Sequence, residues 1–276
     1  MLNEVYRTAV KQPRWIKKIL RSSADIGVRA LSSLTGFKPA EGGTVMSYEM
    51  LFGTWDRGVS SLLKQSLTPG MTVIDVGAHV GYFALEASRL VGTNGTVHAF
   101  EPNKENFEKL AFNIKKYPNI ISHTEAVSDH IGEMTFYDSS TGTGSNSLIA
   151  ERGAYKSTHT VPVTTLDSLF GNTPVDLIKI DVEGAEHFVL KGMREIVQKN
   201  PTLKLVVELY PKVYRDQNLP GHFLLSQLHE MGFSVSVLDD ESGSISEPLV
   251  PSSFETFVRE MPKKYVNLYA QKTKSE

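Results

Sequence analysis

The chain has 276 residues, of which 40% are hydrophobic and 22% charged, a composition typical of globular proteins and unlike disordered or collagen-like chains. Its 29 Lys and Arg and 31 Asp and Glu give a net charge of −2, so no overall field recruits polyanions, and we predict no nucleic-acid partner. The sequence contains no cysteine, which excludes disulfides, thiolate metal sites and cysteine nucleophiles. No stretch approaches the roughly 20 apolar residues of a membrane span, and charged residues interrupt 4–21, so we expect a cytoplasmic protein.

Residues 1–66 are predicted to form a helical N-terminal extension and lid. Apolar residues alternate with basic ones over 4–35, which predicts basic amphipathic helices broken near Pro13. Such a basic face is ordinarily solvated, but contact with a membrane surface or with a partner subunit, including a second copy in a homo-oligomer, stays open. Residues 48–65 predict a further helical region before the turn at Thr68, Pro69 and Gly70.

Residues 67–276 are predicted to form one main domain in which short β-branched runs alternate with helical patterns. Strands are expected at 72–76, 96–100, 120–127, 175–181 and 203–210, and helices at 82–91, 103–116, 186–198 and 223–231. This alternation is typical of an α/β fold with a mostly parallel, doubly wound sheet and helices on both faces. Short alternating runs at about 130–165 predict an antiparallel insertion with a mobile loop, and two terminal strands are expected at 234–238 and 265–270.

The first strand ends in an acid and a glycine turn. Asp75 precedes Gly77, Ala78, His79 and Gly81, and Phe83 lies in the helix that follows. Because the glycines carry no side chain, a ligand at the carboxyl edge of the sheet meets backbone directly. The pattern is G-x-H-x-x-Y and not the dinucleotide motif G-x-G-x-x-G, so we expect a nucleoside cofactor that has no diphosphate.

A second acid stands twenty positions after Gly81. Glu101, at the tip of the second strand, is followed by Pro102 and Asn103, and at this place a carboxylate accepts hydrogen bonds from both ribose hydroxyls. Asp75 is placed to meet a ligand ammonium group. A site made of carboxylates and backbone suits a cofactor that is cationic at sulfur, which indicates S-adenosylmethionine.

The run Ile178-Lys179-Ile180-Asp181-Val182-Glu183-Gly184-Ala185-Glu186 resembles the K-I-D-V-E-G-x-E signature of the FkbM-type methyltransferases. The segments at 73–78, 100–103, 126–129 and 165–167 resemble that family's landmarks in order, and the resemblance spans roughly 45–210. His79 stands where relatives often have Asn. The resemblance implies a class I methyltransferase (Rossmann-like) fold, with S-adenosylmethionine contacts at Ala126, Val127 and Asp181. It also implies methyl transfer to a hydroxyl oxygen of a sugar or glycan, a polyketide or another small metabolite.

The candidate catalytic residues lie at the carboxyl ends of the predicted central strands. Asp181 and Glu183 share the edge of Asp75 and Glu101, and strand alternation places Lys179 on the face of Asp181, as a charged pair. His187 is a candidate second base, with a packing histidine as the alternative. For Glu208, acceptor binding and structural pairing both stay open. Asp181, Glu183 and Glu208 offer oxygen ligands for a divalent cation, but no fixed ligand spacing supports a metal, so none is assigned.

Two other functions remain as alternatives. An NAD(P)-dependent oxidoreductase shares the strand, turn and ribose acid, although its glycine pattern is missing here. A catalytically inactive nucleoside-binding module would keep the fold alone. Neither the identity of the acceptor nor the position methylated follows from the sequence, since a fold says nothing about the acceptor pocket.

Overall fold

A computed structural model of the protein describes residues 26–40, 45–139, 146–149, 155–261 and 263–272. Its largest feature is a seven-stranded sheet with the order β3-β2-β1-β7-β8-β10-β9. The strands of this sheet are β1 Thr72–Val76, β2 Thr96–Phe100, β3 Ile120–His123, β7 Leu177–Ile180, β8 Lys204–Leu209, β9 Phe233–Leu238 and β10 Val266–Lys272. The first five are parallel, and only β10 runs antiparallel to both of its neighbours. The predicted mostly parallel α/β fold is therefore confirmed.

A smaller three-stranded sheet has the order β4-β6-β5. Strands β5 Gly132–Ser139 and β6 Tyr155–Thr164 form the predicted antiparallel insertion, and the short strand β4 Ala126–Val127 pairs parallel to β6. The single strand predicted at 120–127 is wrong, because its first half pairs with β2 in the large sheet and its second half joins the small one.

Helices cover both faces of the large sheet. They are α1 Val45–Phe52, α2 Arg57–Ser66, α3 Tyr82–Val91, α4 Lys104–Ile114, α5 Leu166–Phe170, α6 Glu186–Lys191, α7 Arg194–Lys199, α8 Pro211–Asp216, α9 Phe223–Glu230 and α10 Phe254–Glu260, with a 3₁₀ turn at Pro251–Ser253. Residues 26–35 are also helical. The one helix predicted at 186–198 is two, α6 and α7, separated by Gly192 and Met193. Gly192 packs closely on Ser128, since an added Cβ would lie 2.1 Å from the Ser128 carbonyl oxygen.

Alternate residues of each strand serve two cores, as expected for a sheet covered on both sides. Ile74 and Ile178 pack with helices α6, α7 and α9 in one core, and Val73 and Leu177 pack with α2, α3 and α4 in the other. Residues 73 and 75 share a face, so Asp75 lies beneath the helix α3 that follows it. The strand ends of β1, β2, β7 and β8 thus meet at one open edge of the sheet.

The N-terminal extension is described only in part. Residues 4–25 of the predicted basic helices lie outside the described residues, and the division of the chain at residue 66 stays a prediction. The helical region predicted at 48–65 is broken into α1 and α2 by the turn that contains Gly53. No helix in the described ranges is both long and apolar enough to cross a membrane.

Candidate functional site

A cavity of about 470 Å³ opens at the carboxyl ends of β1, β2, β7 and β8. Predicted site residues in its wall are Gly77, Ala78, His79, Phe83, Glu101, Pro102, Ala126, Val127, Lys179, Asp181, Glu183 and Glu208. Residues that the sequence analysis did not assign to the site also line it, among them Met46, Met50, Asp56, Tyr82, Asn106, Tyr265 and Asn267. The topology of the sheet therefore brings twelve of the sixteen predicted residues to one place.

The turn after β1 has the left-handed backbone that its glycines predict. Gly77, His79 and Gly81 all have positive φ angles, of 83°, 53° and 87°. A Cβ on Gly77 would lie 1.9 Å from the carbonyl oxygen of Asp181, so no larger residue fits between β1 and β7. His79 adopts φ > 0 with a side chain, a conformation that is uncommon outside glycine but several-fold enriched for Asn, Asp and His.

The Glu101 side chain accepts hydrogen bonds from the turn after β1 and from the start of α4. Its Oε2 accepts a hydrogen bond from the His79 amide at 2.8 Å, and its Oε1 accepts one from the Asn103 amide at 2.9 Å. The residue is only 5% exposed, and burial raises the pKa of its carboxyl to about 7 although these hydrogen bonds lower it. Glu101 therefore ties the glycine turn to the start of α4 and presents a carboxylate at the cavity wall.

Lys179 joins two acids, as predicted for its pair with Asp181. Its Nζ donates to Asp181 Oδ2 at 3.1 Å and lies 3.9 Å from Asp75 Oδ1, because Asp75 and Lys179 are partners in the register of β1 and β7. Burial alone would lower the pKa of Lys179, but the two carboxylates raise it above its ordinary value. Lys179 is therefore a buried cation held between two carboxylates.

Asp75 is 2% exposed and does not line the cavity. Among the described residues no donor reaches either of its carboxylate oxygens with hydrogen-bond geometry, although the Ala84 amide lies close enough to lower its pKa slightly. Burial raises the pKa of Asp75, and this effect is larger than the lowering by Lys179 and by the Ala84 amide. Asp75 lies beneath α3 and outside the cavity wall, and its contact with a ligand ammonium group stays a prediction.

Asp181 also belongs to a cluster of three acids that line the cavity. One carboxylate oxygen each of Asp181, Glu183 and Glu208 lies within 4.8 Å of the others, a spacing that a hard divalent cation accepts. Glu183 has φ of 59°, and its carbonyl accepts a hydrogen bond from Ser147 Oγ at 2.9 Å. The insertion therefore contacts the backbone that carries these acids.

The far wall of the cavity comes from segments distant in sequence. Asp56 caps α2 by accepting from the Val59 amide, and Asn267 Nδ2 on β10 donates to Asp56 Oδ2 at 3.2 Å. Burial raises the pKa of Asp56 to about 6. Burial also raises the pKa of Tyr265, which precedes β10. No local motif marks these residues, and only the insertion of β10 beside β8 brings them to the site.

His187, Gly81 and Asn103 do not line the cavity. His187 is 3% exposed and its ring packs against Phe188 and Tyr214, and burial lowers its pKa to about 4. This placement fits the alternative of a packing histidine, and His187 as a second base stays a prediction. Gly81 begins α3, and Asn103 caps α4 by accepting from the Asn106 amide, so both shape the turn.

In comparisons with known proteins, the chain matches one family profile and two relatives from other organisms. A family profile described as "Methyltransferase FkbM domain" matches residues 75–235. The chain is 31% identical over 163 residues to the hexuronic acid methyltransferase AglP of Haloferax volcanii, covering 56% of this chain and 65% of that protein. It is 32% identical over 162 residues to the 31-O-demethyl-FK506 methyltransferase FkbM of Streptomyces tacrolimicus, covering 47% and 62%. The chain thus spans somewhat less than two thirds of the length of these relatives.

Among solved structures, the chain is similar to the methyltransferase FkbM from Methylobacillus flagellatus KT. The TM-score is 0.47 at 13% identity, and the match covers 82% of this chain and 53% of that one.

Proposed function

The chain belongs to the FkbM methyltransferase domain family, and we propose that it transfers a methyl group from S-adenosylmethionine to a hydroxyl oxygen of a small acceptor. A sugar or glycan, a polyketide and another small metabolite are the acceptor classes. The two relatives support this breadth, since one is named for a hexuronic acid and the other for 31-O-demethyl-FK506.

The observation that carries the proposal is the position of Glu101. Its buried carboxylate borders the cavity beside a turn of left-handed residues, and no Lys or Arg side chain is paired with it among the described residues. A ribose offers two hydroxyl donors, which a carboxylate accepts, and the turn leaves backbone exposed to a nucleoside. The carboxylates that line the cavity would attract the positive charge of a sulfonium group. The residues present therefore fit S-adenosylmethionine, with Glu101 holding the ribose.

Bound there, S-adenosylmethionine supplies a methyl group whose bond to sulfur breaks as the bond to the acceptor oxygen forms. The chain has to orient the acceptor hydroxyl and take its proton. Asp181 is the proposed proton acceptor, because its carboxylate is partly exposed at the cavity and the Lys179 ammonium at 3.1 Å holds it in place. Glu208 lies across the acid cluster, where it can accept a hydrogen bond from the acceptor hydroxyl.

Calorimetry with S-adenosylhomocysteine tests the cofactor, and NAD and NADP serve as the comparison. We expect binding of S-adenosylhomocysteine alone. Binding of NAD or NADP without S-adenosylhomocysteine would overturn the proposal in favour of an oxidoreductase. A panel of sugars, glycans and polyketides, assayed for release of S-adenosylhomocysteine from S-adenosylmethionine, then tests the acceptor class. Cofactor binding with no release from any hydroxylated acceptor would favour the inactive binding module.

A further inference from the structure

We infer that the acceptor carries a phosphate or diphosphate group, which binds in a basic groove lined by residues next in the chain to those of the cavity. This inference rests on the proposed function and names the chemical class of the acceptor. The groove has a volume of about 840 Å³ and is formed by α8, the turn after it, α10 and the segment before β10. The Lys, Arg, His and Glu side chains that line it are those of Lys212, Arg215, His222, Glu255, Arg259, Lys263 and Lys264.

The charge of the groove is opposite to that of the cavity. In the described part of the chain, five Lys and Arg side chains line the groove and one acid, Glu255, does. Among the described residues, five acids line the cavity, Asp56, Glu101, Asp181, Glu183 and Glu208, and Lys179 is the one Lys or Arg that lines it. A cationic methyl donor and an anionic acceptor would each find a complementary surface, and the acidic wall would repel an anion placed in the donor's half.

Two of the cations in the groove are available to a ligand. Lys212, Arg259 and Lys263 have carboxylate partners in Asp216, Glu260 and Asp240. Within the described ranges, neither Arg215 nor Lys264 has a carboxylate within 4.0 Å, although both are exposed.

The Arg215 guanidinium packs against Gly221 at the groove, since a Cβ on Gly221 would lie 3.1 Å from Arg215 Nη1. Guanidinium and ammonium groups bind phosphate through charge-assisted hydrogen bonds, and the guanidinium can bind it with two parallel ones. Two cations without carboxylate partners in one concave surface therefore favour a phosphorylated ligand over a solvated face.

Three connections join the groove to the cavity. On β8 and just after it, Glu208 lines the cavity and Tyr210 the groove. Before β10, Tyr265 lines the cavity and the adjacent Lys264 the groove. Asp240 accepts from Lys263 Nζ at 2.6 Å and from the cavity residue Asn267 at 3.3 Å. Residues that are adjacent or two apart in the chain thus line the cavity and the groove, and on the inference one acceptor places its anionic group in the groove and a hydroxyl at the acid cluster.

Calorimetry with inorganic pyrophosphate at constant ionic strength tests the inference on the full chain. The test variant is Arg215→Glu with Lys264→Glu. The matched control, Lys116→Glu with Arg194→Glu, makes the same change in net charge at exposed residues outside the groove. We expect the test variant to bind pyrophosphate at least tenfold more weakly than the unmodified chain, and the control to stay within twofold. All three proteins should bind S-adenosylhomocysteine equally, which also shows that the variants are folded.

The two proposals fail in different ways. Pyrophosphate that does not bind, or that binds all three proteins equally, overturns the inference and leaves the proposed function standing if S-adenosylhomocysteine still binds. Failure of S-adenosylhomocysteine to bind the unmodified chain overturns the proposed function, and the inference with it. Competition separates two sources of the diphosphate. Displacement of pyrophosphate by UDP but not by farnesyl diphosphate indicates a nucleotide-linked acceptor, and the reverse indicates a lipid-linked one.

Discussion

Replacing Glu101 with Gln tests the central assignment, because the carboxyl is buried and its pKa is raised from 4.5 to about 7. A carboxyl whose pKa is higher in the folded state binds more protons there. Its stabilising contribution is therefore complete below about pH 4.5 and is lost as the pH rises through 7. For this shift, the free energy of unfolding should fall by about 2.5 kcal/mol between pH 5 and pH 8.

Urea unfolding at pH 5 and pH 8 measures this loss. Glu101→Gln cannot ionise, so it should lack this part of the pH dependence, even if the amide stabilises or destabilises the turn at every pH. The exposed Glu108, on α4, gives the matched control Glu108→Gln, which should keep the pH dependence of the unmodified chain. Equal pH dependence in the unmodified chain and in Glu101→Gln would refute the argument that burial raises the pKa of this carboxyl.

The same ionisation should control cofactor binding. If the ionised carboxylate accepts the ribose hydroxyls, the unmodified chain should bind S-adenosylhomocysteine about tenfold more weakly at pH 6 than at pH 8. Glu101→Gln should bind weakly at both values, by a loss of roughly 1.5–3 kcal/mol for a charged hydrogen-bonding group. Calorimetry at the two pH values measures both effects. Affinity that is unchanged by the substitution would refute the ribose assignment.

Three further predictions concern residues around the same turn. Lys179→Met should lower the free energy of unfolding by about 3–5 kcal/mol, because it leaves the buried Asp75 without its cation, and Lys179→Met with Asp75→Asn should recover part of this in urea unfolding. An unchanged midpoint for the single variant would contradict the pairing. Gly77→Ala should lower the free energy of unfolding by roughly 1–3 kcal/mol more than Gly70→Ala does, since both glycines have positive φ but only Gly77 lies against the Asp181 backbone. Equal losses in the two variants would show that the contact between residue 77 and the Asp181 backbone relaxes. Asp181→Asn should lower methyl transfer to an acceptor found in the panel by about 10²–10⁴-fold, with affinity for S-adenosylhomocysteine nearly unchanged, and full turnover would exclude Asp181 as the base.

The sequence predicted those parts of the site that are local in the chain. The turn from Asp75 to Gly81 and the acid at Glu101 are set by backbone freedom and spacing within one strand-turn-helix unit, so each was found without knowing the sheet order. The pair of Lys179 and Asp181 followed from strand alternation. The contact of Lys179 with Asp75 was not predicted, because it depends on the register between β1 and β7, which no local pattern reports.

Other parts depend on packing over long distances. Asp56 and Asn267 are 211 positions apart and meet at 3.2 Å, which follows only from the position of β10 in the sheet. The split of the strand predicted at 120–127 has a similar cause, since β-propensity is satisfied equally by either sheet. The break at Gly192 coincides with the close approach of this residue to Ser128, a tertiary contact that helical periodicity does not report.

The position of β10 has a consequence for the order in which the protein forms. Residues 266–272 pair between β8 and β9, so during synthesis both of these strands have an unpaired edge until nearly the whole described chain has been made. Unpaired edges recruit other strands, and this stage is where chains of this kind are most exposed to aggregation. The matched family region ends at residue 235, before β10. A protein truncated after residue 235 would keep Glu101 and Asp181 but lack Tyr265 and Asn267. We expect its sheet to be incomplete and prone to associate with other chains.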